Sequence, residues 1–230
     1  MLEACWLHAK KCIKMLKNQL VHSIVIFLAL AYCIGSNMQA APTVTLDKIQ
    51  QLEKTTKGDV QKRARAWGNL IVSVQNKPVS EQLEKVNSFF NLFNYSTDME
   101  SHGVEDYWES PDEFIKEGGG DCEDFAIIKY FTLVLLGVPS DKLRITYVTS
   151  LTLNQAHMVL SYYENPEAEP LILDSLENRI LKASKRPDLK PVYSFNGDGL
   201  WLARQRGQSS LVGQSSSLGQ WDDVLKRMQQ

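Results

Sequence analysis

Cysteine is scarce in this 230-residue chain, and its four copies are poorly placed for disulfide bonds. Cys5, Cys12 and Cys33 all lie in the first 33 residues, which leaves Cys122 as the single cysteine in the rest of the chain. A fold stapled by disulfides needs cysteines in pairs. The sequence therefore excludes a disulfide scaffold, and Cys122 requires an explanation other than cross-linking.

The chain also lacks an excess of positive charge, and it contains no internal repeat. Its formal net charge is −2, and the residues after position 40 include 21 Lys and Arg against 26 Asp and Glu. Proteins that bind nucleic acid usually carry a basic patch or a basic run, because phosphates attract positive charge. Nucleic acid is therefore not an expected partner.

A full-length membrane span is missing as well. The apolar run at residues 20–34 has 15 residues, whereas a membrane-spanning helix needs about 20. Small residues follow the run as far as Ala41, and four lysines precede it: Lys10, Lys11, Lys14 and Lys17. The pattern predicts a secretory signal peptide over residues 1–40, cleaved after Ala40, with a retained anchor as the alternative. We therefore expect an exported protein.

About 190 residues remain after position 40, which is enough for one domain with a substantial core. The sequence predicts that this domain covers residues 41–204 and that residues 205–230 form a flexible tail. Residues 205–220 are rich in Gly, Ser and Gln, the composition of a tether. A short amphipathic helix, which either docks on the domain or meets a partner, is then outlined by Trp221, Val224, Leu225 and Met228.

Apolar periodicity predicts a helical first half of the domain and a sheet in its second half. Helices are predicted over 59–74 and 80–93, and a buried central helix is predicted over 122–136. Residues 95–120 have the composition of a loop. Strands are predicted over 143–149, 157–163 and 171–173, with a last strand pair within 192–203. The predicted fold class is α+β, with the central helix packed on an antiparallel sheet.

The segment around Cys122 has the features of a cysteine nucleophile. Three glycines at residues 118–120 precede Asp121 and Cys122, and the apolar helix follows. The thiolate is the reactive form of cysteine, and the unpaired amides in the first turn of a helix stabilise an anion. Asp121 is the expected N-cap. The backbone amide of Cys122 is a candidate oxyanion donor, with Tyr107 or Trp108 as candidates for the second donor.

Two histidines remain after residue 40, and their surroundings differ. His102 is next to Gly103 in the predicted loop, where a solvated histidine is expected. His157 begins a predicted strand, and a hairpin turning near residues 165–167 brings it opposite a residue close to Asp174. Asp174 can then accept one imidazole proton and fix the tautomer. We therefore predict a Cys122–His157–Asp174 catalytic triad.

The acidic neighbours of Cys122 create an electrostatic conflict. Asp121, Glu123 and Asp124 lie within two residues of the thiol, and nearby negative charge raises the pKa of a thiol. A helix terminus contributes only about 0.3–1 kcal/mol in the opposite direction. A bound cation would resolve the conflict, and carboxylate oxygens are ligands that Ca²⁺ prefers. Capping of the helix by these acidic residues is the alternative explanation.

Taken together, these residues resemble the bacterial transglutaminase-like cysteine proteinases. The resemblance covers about residues 87–176. It includes the blocks NSFFN at 87–91, DYWESP at 106–111, GGDCEDFA at 119–126, AHM at 156–158 and LD at 173–174. It implies a papain/transglutaminase-like fold, the catalytic triad given above, and a calcium ion held by Asp121 and Glu123.

The same resemblance implies a biological role. The expected activity is that of a periplasmic endopeptidase that cuts the N-terminal region of a large surface adhesin after paired small residues, and so controls biofilm attachment. An inner-membrane receptor that senses cyclic-di-GMP is the expected regulatory partner. Two other interpretations stay open, namely a transglutaminase-like acyl transferase and a receptor-binding module without catalytic activity.

Overall fold

The computed structural model describes residues 43–203 and 209–229 of the chain. The predicted signal peptide and its cleavage site lie outside these residues and stay predictions. Within the described ranges, no helix is long and apolar enough to cross a membrane.

The described residues form seven helices and nine strands. In chain order, helices α1 to α7 are Leu46–Thr55, Gly58–Val74, Val79–Phe90, Asp98–Ser101, Pro111–Glu117, Cys122–Leu135 and Gly219–Arg227. Strands β1 to β9 are Asn94–Tyr95, Gly119–Gly120, Leu143–Ser150, Gln155–Tyr162, Leu171–Leu173, Leu181–Lys182, Leu189–Phe195, Leu200–Ala203 and Ser209–Gly213. The three helices predicted within the domain correspond to α2, α3 and α6, and the amphipathic helix predicted in the tail corresponds to α7. The predicted strands correspond to β3, β4, β5, β7 and β8.

Seven of the strands form one antiparallel sheet in the order β6-β5-β4-β3-β7-β8-β9. Helix α6 packs against β3 and β4 on one side and against α3 and α5 on the other. Residues 123–133 of this helix are all buried, as its apolar circumference predicts. The predicted α+β architecture, with the Cys122 helix central and packed on an antiparallel sheet, is confirmed.

Three helices, α1, α4 and α5, were not predicted from the sequence. Pro111 was interpreted as part of a loop, but it is the first residue of α5, where its missing N–H has no helical partner to lose. Ser110 and Glu113 form a capping box at this helix start, with the Ser110 amide donating to Glu113 Oε2 at 2.7 Å. Helix α1 begins after Thr45, whose hydroxyl accepts the Lys48 N–H at 3.2 Å.

The described part of the tail belongs to the fold, which corrects the prediction of a tether there. Strand β9 pairs with β8, and backbone pairing of this kind tolerates the Ser and Gly residues that suggested a linker. Trp221 in α7 is fully buried and stacks on Phe131 at a centroid distance of 5.6 Å. Of the two alternatives for the amphipathic helix, docking on the domain is the one observed.

Replacing Trp221 with alanine is expected to lower the free energy of unfolding by about 3–5 kcal/mol, because it removes a large side chain from the core. Urea denaturation measures this change. Asp223→Ala, on the exposed side of the same helix, is the matched control and should change the free energy by less than about 0.5 kcal/mol. Equally small effects in both variants would show that α7 is dispensable for stability.

Candidate active site

The candidate nucleophile lies at the first residue of α6, directly after the N-cap Asp121. The Cys122 side chain is partly buried, and its thiol donates to Glu123 Oε2 at an Sγ–O distance of 3.0 Å. The backbone N–H of Met158 also hydrogen-bonds to this sulfur. Since Met158 follows His157 in β4, that contact joins the start of α6 to the strand that carries the predicted base.

A small parallel ribbon fixes the chain just before Cys122. Strands β1 and β2 pair with Asn94 opposite Gly119, and the Ser96 amide donates to the Gly120 carbonyl at 3.0 Å. Gly119 has a φ of +157°, and a Cβ atom there would lie 1.9 Å from the Asn94 carbonyl oxygen. A side chain at this position would therefore break the ribbon, so glycine is required to hold the approach to Cys122 in place.

His157 and Asp174 form a buried hydrogen-bonded pair. His157 Nε2 lies 2.8 Å from Asp174 Oδ1, and the two residues are only 4% and 1% exposed. Asp174 directly follows β5, where Leu160 pairs with Leu173. Continuing this register makes His157 and Asp174 diagonal rather than directly opposite neighbours, a separation that the imidazole ring of His157 can span. Because Nε2 is bonded to Asp174, Nδ1 is the imidazole nitrogen left for proton exchange.

The electrostatics of the thiol are unfavourable in this arrangement. Burial raises the pKa of the Cys122 thiol well above its ordinary value, and the charges of Glu123 and Asp121 raise it further. The Met158 N–H acts in the opposite direction. The conflict predicted from the acidic neighbours is therefore present in the folded protein, with burial as an additional cause.

Asp174 has polar partners that the sequence analysis missed. The Leu176 amide donates to Oδ1 at 2.9 Å, and Arg186 Nη2 lies 2.8 Å from Oδ2. Burial by itself raises the pKa of Asp174, but the His157 hydrogen bond and charge, the Leu176 amide and Arg186 together hold it at about 2. Arg186 lies in the charged stretch at residues 182–190, which carries no sequence signal that links it to the site.

A buried lysine ties α6 to the Asp174 loop. Lys129 Nζ donates to Asn87 Oδ1 at 2.8 Å and to Asn91 Oδ1 at 2.6 Å. Asn91 Nδ2 in turn donates to the Asp174 carbonyl oxygen at 2.8 Å. Burial lowers the pKa of Lys129 to about 7, while the charge of Asp174 acts in the opposite direction. These side chains hold the loop after β5 against the nucleophile-bearing helix.

Four carboxylates converge beside Cys122. Ligand atoms of Asp98, Asp106 and Glu123 lie within 4.8 Å of one another, and so do those of the set Asp121, Cys122 and Glu123. Asp98 and Asp106 come from the segment predicted as a loop, and only the tertiary structure identifies them as potential ligands. Asp121 and Glu123 were already predicted to hold a metal.

The carboxylate cluster fits a hard cation such as Ca²⁺. Asp121 Oδ1 is buried and has no hydrogen-bond partner among the described residues. Burial and the charge of Glu123 raise the pKa of Asp121 to about 9, and burial also raises the pKa of Asp98. Asp124 has a capping role instead, because its carboxylate accepts the amides of Glu109 at 2.7 Å and Asp121 at 3.0 Å. A cation would satisfy the orphaned oxygen and offset the repulsion.

Three residues near the site differ from expectation. His102 is not a solvated histidine, because its Nε2 lies 2.7 Å from Oε1 of the buried Glu109. Neither candidate for the second oxyanion donor is available. Tyr107 donates its hydroxyl to Glu113 at 3.0 Å, and Trp108 donates its indole N–H to Asp106 at 3.0 Å. Trp108 instead packs under the loop, stacked on Phe195.

Tyr95 is a further residue beside the nucleophile that the sequence analysis missed. It lies opposite Gly120 in the β1–β2 ribbon, and its half-exposed ring stacks on Phe125. Burial raises the pKa of its hydroxyl, and the next cause is the charge of Cys122. Tyr95 therefore flanks the thiol.

The chain is similar to a known protein family and to proteins whose structures have been solved. The sequence model of the bacterial transglutaminase-like cysteine proteinases matches residues 50–189. LapG from Legionella pneumophila in its EGTA-treated form is 67% identical, covers 82% of this chain and 100% of its own, and gives a TM-score of 0.76. The calcium-bound form of the same LapG is 67% identical over 80% of this chain and 99% of its own, with a TM-score of 0.72. No curated protein matches the chain.

Proposed function

Since the chain belongs to the bacterial transglutaminase-like cysteine proteinases, we propose that it is a calcium-dependent periplasmic endopeptidase that cleaves a large surface adhesin. Cysteine protease activity follows from family membership. The observation that carries the finer proposal is the buried His157–Asp174 hydrogen bond at 2.8 Å. The residue that follows His157 in β4 is Met158, and its amide bonds to the Cys122 sulfur. Cys122, His157 and Asp174 are the proposed catalytic triad.

In the proposed reaction, the Cys122 thiolate attacks the carbonyl carbon of the scissile peptide. His157 Nδ1 takes the thiol proton and later gives it to the leaving amine, which departs as the C–N bond breaks. Water then attacks the acyl-enzyme, with His157 as the base, and releases the new carboxyl end and the free thiol. The Cys122 amide lies in the first helical turn, where N–H groups have no helical acceptor, so it can donate to the oxyanion.

Asp98, Asp106, Asp121 and Glu123 are the residues proposed to hold Ca²⁺. When bound, the cation supplies positive charge that offsets the repulsion between these carboxylates and a thiolate. Glu123 has a second effect on the nucleophile, because its carboxylate accepts the thiol hydrogen bond and so competes with His157 for that proton. The calcium-bound LapG, 67% identical to this chain, supports the choice of metal.

The adhesin substrate, the periplasmic location and the cyclic-di-GMP-sensing receptor are proposed by analogy with relatives of this type. The predicted signal peptide over residues 1–40 supports export. The identity of 67% to LapG over most of both chains supports a shared substrate class. Function transferred in this way needs a direct test, because one fold supports several chemistries.

The test is to incubate purified residues 41–230 with N-terminal fragments of candidate surface adhesins, with and without Ca²⁺. We expect a single calcium-dependent cut after paired small residues, which sequencing of the product ends would locate. A parallel reaction contains a labelled primary amine. Incorporation of the amine without cleavage would favour the acyl transferase over the endopeptidase, and inertness in both reactions would favour the receptor-binding module.

A further inference from the structure

Arg186 joins the candidate triad to a charged segment that has no assigned role. Its Nη2 lies 2.8 Å from Asp174 Oδ2 and 2.7 Å from Asp188 Oδ2, and its Nε donates to Asp188 Oδ1 at 3.0 Å. Arg186 follows a short 3-10 turn between β6 and β7. None of the three candidate triad residues lies in this segment. The guanidinium therefore bridges two carboxylates, only one of which contacts His157.

The two oxygens of Asp174 face different partners. Oδ1 contacts His157 and the Leu176 amide, whereas Oδ2 faces Arg186. The Asp174 side chain has no exposed surface, so water cannot replace a lost partner. A buried carboxylate deprived of its cation either takes up a proton or turns toward another donor. Both responses would disturb the hydrogen bond that fixes the His157 tautomer.

We propose that Arg186 is a positioning residue that holds the Asp174 carboxylate ionised and aimed at His157. It acts through Asp174 and does not touch the substrate. The inference rests on the proposed function only in taking Cys122 as the nucleophile and His157 as its base.

The charges around Asp174 support this role. The charged groups that interact with it are His157 on β4, Lys129 on α6, and Arg186 with Asp188 before β7. Glu177, in the same loop as Asp174, interacts with Arg186. Lys129 interacts with the charge of Asp174 at a distance and is linked to it by hydrogen bonds through Asn91. Asp188 and Glu177 are anions. Among the described residues, Arg186 is therefore the permanently charged cation that contacts the Asp174 carboxylate directly. It also contributes to holding the pKa of Asp174 at about 2.

The sign of the expected pH effect follows from this contact. An opposite charge within about 4–6 Å lowers the pKa of a carboxyl group by roughly 1–3 units. Without Arg186, Asp174 should become protonated at a higher pH than in the native protein. Because a neutral Asp174 stabilises the imidazolium of His157 less well, the reactive form of the site should disappear at a higher pH.

The experiment measures the rate of Cys122 alkylation by iodoacetamide as a function of pH, with Ca²⁺ present, and the kcat and KM of peptide cleavage. In Arg186→Met, we expect the acidic limb of the alkylation profile to move up by about one pH unit or more, and kcat to fall roughly tenfold with little change in KM. Arg186→Gln can still donate a hydrogen bond but has no charge, and its limb should move in the same direction. Arg186→Lys should restore most of the native profile.

Asp188→Asn is the matched control, because it removes the other partner of Arg186 and leaves the contact with Asp174. Its acidic limb should stay at the native position. An unmoved limb in folded Arg186→Met or Arg186→Gln would overturn the proposal, as would a failure of both variants to fold, since Arg186 would then serve the fold itself. Alkylation needs no peptide substrate. A native protein that shows the pH limb but cuts no adhesin would therefore refute the proposed function without affecting this inference.

Discussion

Replacing Cys122 with alanine is expected to abolish proteolysis, with a loss in kcat of about 10⁴-fold or more. The reason is chemical, because no other described side chain can take the place of the sulfur at the start of α6. The fold should survive, since Cys122 is partly buried and its sulfur makes two weak hydrogen bonds, with the Glu123 carboxylate and the Met158 amide. The rate of cleavage in Ca²⁺ measures the effect, and thermal unfolding verifies the fold.

Labelling provides the control for this variant. Cys122 is the single cysteine after residue 40, so iodoacetamide should label purified residues 41–230 once and inactivate them, whereas Cys122→Ala should take up no label. His157→Gln should lose activity to a comparable extent, because the thiol would have no base. Cleavage that persists in Cys122→Ala after repurification would remove Cys122 from the mechanism.

Removing calcium is expected to lower kcat/KM by at least about tenfold, because each unit by which the pKa of a thiol rises above the working pH costs a factor of ten in thiolate. Burial and the charge of Glu123 raise the pKa of Asp121 to about 9, so the cluster resists holding several charges at once. Added EGTA should stop cleavage and excess Ca²⁺ should restore it. Mg²⁺ should restore less, because it demands a smaller and more regular ligand shell.

Ligand variants locate the calcium effect. Asp98→Asn, Asp121→Asn and Glu123→Gln should each raise the Ca²⁺ concentration needed for half-maximal activity. Asp223→Asn, an exposed carboxylate on α7, should leave it unchanged. The shift of the unfolding temperature with added Ca²⁺ gives a second readout that does not depend on catalysis. Full activity in EGTA, together with no thermal shift, would refute calcium dependence.

Local sequence signals determined the elements that present the nucleophile and the base. The glycines before Asp121 and the apolar run after Cys122 predicted the start and the burial of α6, because capping and periodicity depend on nearby residues. Alternating β-branched residues predicted β3 and β4, and with them the strand position of His157. Pro111 shows the limit of such signals, since a proline fits equally well in a loop and at the first residue of a helix.

The tertiary structure decided which distant residues complete the site. Arg186 reaches Asp174 and Asp98 joins Glu123 only because loops far apart in the chain meet next to α6, and no periodicity encodes such meetings. In the same way, β9 and α7 belong to the fold because β8 offers an unpaired edge and the core has room for Trp221. By itself, the sequence determined Cys122, His157 and Asp174 as the candidate triad, because their local contexts carry the signal. Their electrostatic partners depend on contacts across the fold, and only the folded chain brings those together.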